Sequence, residues 1–289
     1  MSFKPKEDGA QQNSGGFKRD PNFKWPEPKT GNRPGRVSLI VELGNQKRDP
    51  FKDPKTGEEK ELAPKDQVAI FADLTNDVVD YGGEIGEQPY RLMLNSSFLG
   101  KVSGTTFGSV HPDMSATTGV WTFHSNSVLT KLARATGTEE IIQEGPDKND
   151  ISLLLGKAAM FEVAIKKTES KDQKDEEGNP IVYTNVRFKG CSSLPEMPDG
   201  SAYPVPEMSI EPMTITFDDA TVEQVKFLRK DVRETIKQAL NYEGSQIQAA
   251  IEEFENKRSQ SSNSNRDSQP ADNANNTPGF DDFDDDVPF

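Results

Sequence analysis

Aromatic and cationic side chains occur together along this chain, and together they can bind a single strand of nucleic acid. An aromatic ring stacks on a nucleobase, and a nearby Lys or Arg neutralises a phosphate. Each stacked base contributes about 1–3 kcal/mol whatever its identity, so such a surface predicts binding without sequence preference. The candidate residues are Arg36, Lys47, Arg48, Phe51, Lys52, Phe71, Arg91, Met93, Trp121, Lys166, Tyr183 and Arg187.

Several of the aromatic candidates have a second interpretation. Phe71 and Tyr183 could be covered by helices from the C-terminal part of the chain. Trp121 could hold the Gly- and Thr-rich residues 96–124 against the body of the protein. Aromatic residues also alternate with Lys and Arg at positions 17–25, where they could contact a strand or pack on the body. The sequence leaves these alternatives open.

The last ten residues, FDDFDDDVPF, form a second group with binding potential. They contain five Asp and no basic residue. An acidic run is usually solvated, but Phe, Val and Pro among the acids favour docking on a protein with a basic rim and an apolar pocket. The candidate partner-binding residues are Asp281, Asp282, Phe283, Asp284, Asp285, Asp286, Val287, Pro288 and Phe289.

Residue patterns typical of catalysis or metal binding do not stand out. Gly156-Lys157 lacks the upstream Gly and the following Ser or Thr of a phosphate-binding loop. His111 and His124 have no Cys near them, which disfavours a zinc site. Cys191 is the single cysteine, so no intrachain disulfide can form. We therefore expect a protein that is not an enzyme and that needs no metal or cofactor.

Charge is distributed unevenly along the chain. The net charge is -14, with +4 on residues 1–36, -6 on residues 259–289 and -12 on the residues between them. This acidic total weakens the case for nucleic-acid binding, which then requires a local basic groove. It favours the alternative of an adaptor or structural interaction protein without DNA binding.

The strand pattern predicts a mainly β protein. Apolar residues alternate with polar ones in five segments, and a helical pattern follows the third of them. This order is that of the OB-fold, a small β-barrel that binds oligonucleotides across its face and through two hairpin loops. The loops 45–66 and 168–180 occupy the expected positions of those two loops. The predicted strands are 36–43, 67–74, 89–95, 157–167 and 181–189, with a short one at 120–124.

Composition divides the chain into five parts, with α-helices after the barrel and disordered termini. An apolar stripe from Val222 to Leu240 predicts the helices, which could pack on the barrel or mediate homo-oligomerisation. No apolar run reaches the ~20 residues of a membrane span, and the N-terminus lacks a signal core. We expect a flexible arm at 1–35, the OB-fold at 36–191, a Pro-rich connector at 192–217, a helical appendage at 218–257, and a linker and acidic tail at 258–289.

Two parts of the sequence resemble known single-stranded-DNA-binding proteins. The tip DDDVPF resembles the tip of the bacterial proteins. The runs RVSLIVELGNQKRDPFKDPKTGEEK, QVAIFADLTNDVVDYGG and YRLMLNSSF resemble the proteins of tailed bacteriophages, over roughly residues 33–190. The resemblance implies an OB-fold that coats single-stranded DNA during replication, recombination and repair in the cytoplasm of an infected bacterium. It also implies recruitment of a polymerase, helicase-primase, recombinase or nuclease through the tip.

Overall fold

The structure is a computed structural model that describes residues 27–80, 87–94, 110–112, 121–123, 128–142, 150–174 and 178–264. The protein is mainly β, with one large antiparallel sheet and a few short helices. The aromatic residues at positions 17–25 and the acidic tip at 280–289 lie outside the described residues.

All five predicted strands form, and most are longer than predicted. The strands are β1 (Gly31–Gln46), β2 (Phe51–Lys52), β3 (Glu59–Lys60), β4 (Lys65–Asp80), β5 (Glu87–Met93), β6 (Val110–Pro112), β7 (Trp121–Phe123), β8 (Ala158–Lys174), β9 (Pro180–Ser192) and β10 (Met213–Ile215). The α-helices are α1 (Val128–Thr136), α2 (Val222–Val225), α3 (Lys230–Lys237) and α4 (Gln246–Ser264).

The main sheet has six strands, with five in the order β5-β4-β1-β8-β9 and β10 paired in parallel with β1. The other neighbours are antiparallel. The sheet is not closed into a barrel: among the described residues, β5 and β9 are its edges and no backbone pairing joins them. The expected closed barrel is therefore not confirmed, whereas the mainly β class is.

The central strand β1 is buried on both of its faces. Val37 and Ile40 belong to one apolar cluster, while Leu39 and Val41 belong to a second cluster on the other side of the sheet. Strict alternation would put Val37 and Ile40 on opposite faces, but they share one because the pairing of β1 with β4 is irregular between Val37 and Leu39. Such an irregularity changes the face on which later side chains lie.

The first cluster lies between the sheet and α1. Leu129 and Leu132 of α1 pack with Phe161 and Val163 of β8. Gly137 follows the helix with a φ of 71°, a left-handed conformation that glycine adopts without strain and that commonly ends helices. The helix that the sequence predicted after the third strand is therefore confirmed, and it ends just before Gly137.

The second cluster joins the opposite face of the sheet to the C-terminal helices. Apolar residues of α2, α3 and α4 pack on Leu39, Val41 and Phe71. Gly44 marks the closest approach, since a Cβ there would lie 2.6 Å from the Ala239 Cβ and would also clash with the Phe217 ring. The helices therefore form an appendage packed on the sheet, which was one of the two alternatives that the apolar stripe left open.

The boundaries of the C-terminal helices differ from the predicted ones. The stripe that begins at Val222 is broken into α2 and α3, and Leu240 is exposed. The cap of α2 is Thr221, whose hydroxyl accepts a hydrogen bond from the Gln224 N–H. α4 continues to Ser264, into the range that composition assigned to the linker.

Substitution of Phe71 by Ala should destabilise the protein by about 3–5 kcal/mol, because the ring is 2% exposed and lies between sheet and helices. Phe51, 53% exposed, provides the control, and its replacement by Ala should change stability by less than about 0.5 kcal/mol. Urea denaturation measures both values. Equal midpoints for the two variants would contradict the packing of the helices on this face.

Candidate nucleic-acid interface

Strands β8 and β9 extend beyond the sheet as a two-stranded ribbon. The pairing of β1 with β8 ends at Gly31 and Val163, whereas β8 and β9 stay paired past Thr168 and Tyr183. Residues 164–170 and 182–187 are here called the ribbon. The expected loop at 168–180 is thus largely strand, because backbone pairing accepts polar side chains on a ribbon that is exposed to solvent.

Three of the predicted DNA-binding residues share one face of this ribbon. Paired residues point to the same side of a sheet and successive residues alternate, so Lys166, Tyr183 and Arg187 lie together on the side opposite Val163 and the first cluster. All three are exposed, with Tyr183 at 39%. The outer ribbon face consists of Ala164, Lys166, Thr168, Tyr183, Asn185 and Arg187.

The outer ribbon face has the composition that non-specific strand binding requires. It holds two cations and one aromatic ring, and none of its six residues is acidic. Tyr183 and Arg187 are four residues apart on one strand, which separates them by about 13 Å. A ring and a guanidinium at this spacing can contact a base and a phosphate of the same strand.

The residues just before β1 contact the opposite face of the ribbon. The Glu27 carboxylate lies 3.2 Å from the Lys167 Nζ and accepts a hydrogen bond of 2.8 Å from the Thr184 hydroxyl. The charge of Lys167 is therefore matched within the protein. This contact leaves Lys166, one residue earlier, on the other side of β8.

The second exposed group of candidates is the 47–64 loop, which contains β2 and β3. Phe51 is exposed, and Lys52 forms an ion pair of 3.6 Å with Glu59 across the hairpin. Lys47 is exposed and Arg48 is half-buried. The loop holds five bases and five acids, so it has no net charge. Counted in the same way, residues 164–187 also hold five bases and five acids, so net charge does not distinguish this loop from the ribbon and its hairpin.

The candidates on the sheet between these two groups are covered. Arg91 is 5% exposed, and its guanidinium donates to both carboxylate oxygens of Asp73, at 2.8 and 3.1 Å. The Ser38 hydroxyl donates to the same carboxylate at 2.8 Å. Phe71 and Met93 pack against the second cluster. The prediction that Phe71, Arg91 and Met93 lie on an open face was wrong: Phe71 and Met93 pack with the C-terminal helices, and Arg91 is buried in its ion pair with Asp73.

Arg36 also makes contacts within the protein. Its guanidinium donates to the carbonyl oxygens of Gly156, Val205 and Pro206 at 3.0–3.1 Å, and to the Glu207 carboxylate at 3.3 Å. The backbone of Trp121 lies in β7, whose side chains are not among those described. The candidate residues of the acidic tip lie outside the described chain as well.

The structure therefore separates the predicted site into distinct regions. The ribbon leaves the amino end of β1, whereas the 47–64 loop follows its carboxyl end. Thr168 and Asn185, which sequence reasoning did not select, complete the outer ribbon face. Thr168 lies two residues from Lys166, and Asn185 lies two residues from both Tyr183 and Arg187. Only the register of β8 against β9 shows that all five share one face.

Other chemistry is limited in the described part of the chain. No group of three or more His, Cys, Asp and Glu there could hold a metal ion. Burial raises the pKa of the Cys191 thiol to about 11, so this group stays protonated at neutral pH. None of the described helices is long and apolar enough to span a membrane.

Comparisons of the chain with protein-family models, curated proteins and solved structures found no match.

Replacement of Arg91 by Ala should destabilise the protein by about 3–5 kcal/mol, since it leaves the Asp73 carboxylate buried without its counter-charge. Removing both side chains in an Asp73→Ala/Arg91→Ala variant should restore part of this loss. The control is Arg187→Ala on the exposed ribbon, with little expected change. Urea denaturation of the four proteins, wild type included, provides the measurement. An Arg91→Ala variant as stable as the control would contradict the buried ion pair.

Proposed function

We propose that the protein binds single-stranded DNA without sequence preference, and that the outer ribbon face is the principal contact surface. The observation that carries this proposal is the exposure of Lys166, Tyr183 and Arg187 on one face that lacks acids. Stacking on Tyr183 and phosphate contacts to the two cations account for strand binding without base readout. The two cations of this face offer phosphate a local partner, while residues 164–187 as a whole hold five bases and five acids.

We also propose that β1, β4, β5, β8 and β9 constitute an OB-fold whose barrel remains partly open. Support comes from the central position of β1 between β4 and β8, and from the helix after the third main-sheet strand. In this fold oligonucleotides bind across the second and third strands and through two hairpin loops. The second and third strands correspond to β4 and β5, whose outer side is covered here. The hairpin loops then remain available for binding, and the β8–β9 ribbon is one of them.

The resemblance to phage proteins supports a role in replication, recombination and repair inside an infected bacterium. There the protein would protect single strands and melt hairpins, because it binds only the open form. The tip from Asp281 to Phe289 would recruit a polymerase, helicase-primase, recombinase or nuclease. Its acids suit a basic rim on the partner, and Phe289 suits an apolar pocket.

A protein-binding adaptor is the second candidate function. The covered outer side of β4 and β5 favours it, as does the charge of -12 on residues 37–258. An adaptor would show no binding to a single strand, whereas the tip would still bind a partner.

Substitution of Lys166 and Arg187 by Ala should weaken binding to a thirty-nucleotide oligo(dT), because two phosphate contacts are lost. The slope of log K against log salt should become shallower by about 1.4. Tyr183→Ala should cost about 1–3 kcal/mol of binding free energy. Fluorescence titration at several salt concentrations measures both effects.

The matched control for this experiment is Lys226→Ala/Lys257→Ala, which removes the same charge from exposed ion pairs on the C-terminal helices. It should leave the salt slope nearly unchanged. Wild-type binding no tighter to oligo(dT) than to duplex DNA, or insensitive to salt, would overturn the proposed function. Equal losses of oligo(dT) affinity in the control and in the ribbon variant would contradict the assignment of the contact surface to the ribbon.

A further inference from the structure

Arg36 is held mainly by the Pro-rich segment that follows β9. From here on, the name connector is used for residues 193–212, the part of the predicted Pro-rich connector that lies between β9 and β10. Three of the four acceptor atoms of the Arg36 guanidinium belong to it: the carbonyl oxygens of Val205 and Pro206, and the Glu207 carboxylate. The fourth acceptor is the carbonyl oxygen of Gly156.

The charge of Arg36 is matched less well than that of two other arginines on the sheet. Arg91 pairs with buried Asp73, and Arg33 pairs with buried Asp77, whose Oδ2 lies 2.7 Å from the Arg33 Nε. By contrast, the carboxylate beside Arg36 is that of Glu207, whose side chain is 91% exposed. The remaining acceptors of Arg36 are neutral carbonyls. A phosphate adds an opposite charge and can accept two parallel N–H bonds from a guanidinium, which separate neutral carbonyls cannot do, so it is a better partner for Arg36.

The connector itself is held by few contacts. Between residues 193 and 212 the only regular pairing is an isolated bridge from Glu196 to Ala202, and no residue of the segment is fully buried. Besides the contacts to Arg36, the Ser209 hydroxyl lies 3.4 Å from the Gln88 side-chain oxygen on β5. Detaching the segment exposes some apolar surface, since its half-buried residues include Leu194, Met197, Tyr203, Val205, Met208 and Ile210. With no fully buried residue it should nevertheless open more readily than the strands of the sheet.

Arg36 is placed to extend the outer ribbon face. It pairs with Ala158 on β8, and the alternation of side chains along β8 puts both on the same side of the sheet as Lys166. Eight residues of strand separate Ala158 from Lys166, a distance of about 26 Å. Ala164, the exposed Glu162 and Met160 lie between Lys166 and Ala158 on this side of β8. A strand that reaches from the ribbon to Arg36 therefore passes the Glu162 carboxylate.

We propose that Arg36 is a phosphate-binding position that connector residues 205–207 keep occupied, so that the connector competes with single-stranded DNA for it. This inference rests on the proposed function. The connector carbonyls and the Glu207 carboxylate take the place of phosphate oxygens while DNA is absent. Because the measured dissociation constant equals the intrinsic one divided by the open fraction, loosening the connector tightens binding.

Two changes to the connector test this competition in the full-length chain. Glu207→Gln removes the competing carboxylate and should tighten oligo(dT) binding by about two- to fivefold, the worth of an exposed ion pair. Pro204→Gly/Pro206→Gly increases the conformational entropy of the detached connector and so lowers the free energy of detaching it. Binding should tighten by about two- to fivefold for each substitution. The salt slope of both variants should be at least as steep as that of the wild type, because Arg36 becomes available to a phosphate.

Each variant has a matched control in the same segment. Glu211→Gln makes the same charge change at an exposed position four residues away. Pro195→Gly adds the same chain freedom before the Glu196–Ala202 bridge, which isolates it from residues 204–206. Both controls should bind like the wild type. A third variant, Arg36→Gln, should reduce the salt slope by about 0.7, the loss of one phosphate contact.

The outcomes separate this inference from the proposed function. Tighter binding by Glu207→Gln and Pro204→Gly/Pro206→Gly than by their controls supports the competition. If the wild type binds oligo(dT) but the connector variants bind like their controls, or more weakly, the connector does not compete with DNA. That result leaves the proposed function intact. A wild-type protein that does not bind oligo(dT) overturns both.

Discussion

The packing of the C-terminal helices on the sheet is the constraint on which the rest of the structure depends. Phe71, Leu39 and Val41 project from the sheet into a cluster formed with α2, α3 and α4. Gly44 lets the helical part approach so closely that a single methyl group would clash with it. Because this contact buries Leu39, Val41 and Leu43 of β1 and Phe71 of β4 on that side, these positions cannot also receive a ligand.

The ion pair between Arg91 and Asp73 is buried on the same side of the sheet. A charged pair on an open face would be solvated and worth little. Here both side chains are 5% exposed, so each charge depends on the other. Positions that carry the right residue types for DNA binding thus serve stability. The exposed candidate residues instead lie on the ribbon, where β8 and β9 continue past the end of β1 and the side chains of Lys166 and Tyr183 are exposed.

Local sequence signals predicted the elements well, because their causes are local. The strands follow from alternation, and the end of α1 follows from the left-handed conformation of Gly137. Alternation also predicted correctly that Lys166 and Arg187 share a face. It could not predict that Phe71 is covered, because its partners, such as Val225 and Ile236, lie some 150 residues later in the chain. Nor could it predict that β8 extends to Lys174, since a ribbon exposed on both faces needs no apolar pattern. The edges of the sheet depend on long-range pairing in the same way.

The location of the bound strand is tested most directly by photo-cross-linking. An oligo(dT) that carries 5-iodo-deoxyuridine is bound to the full-length protein, irradiated, and its attachment sites are identified by mass spectrometry. The outer ribbon face predicts attachment at Tyr183, which is lost at high salt because binding depends on phosphate contacts. Attachment confined to the 47–64 loop around Phe51, or to residues beneath the helices such as Phe71, would contradict it.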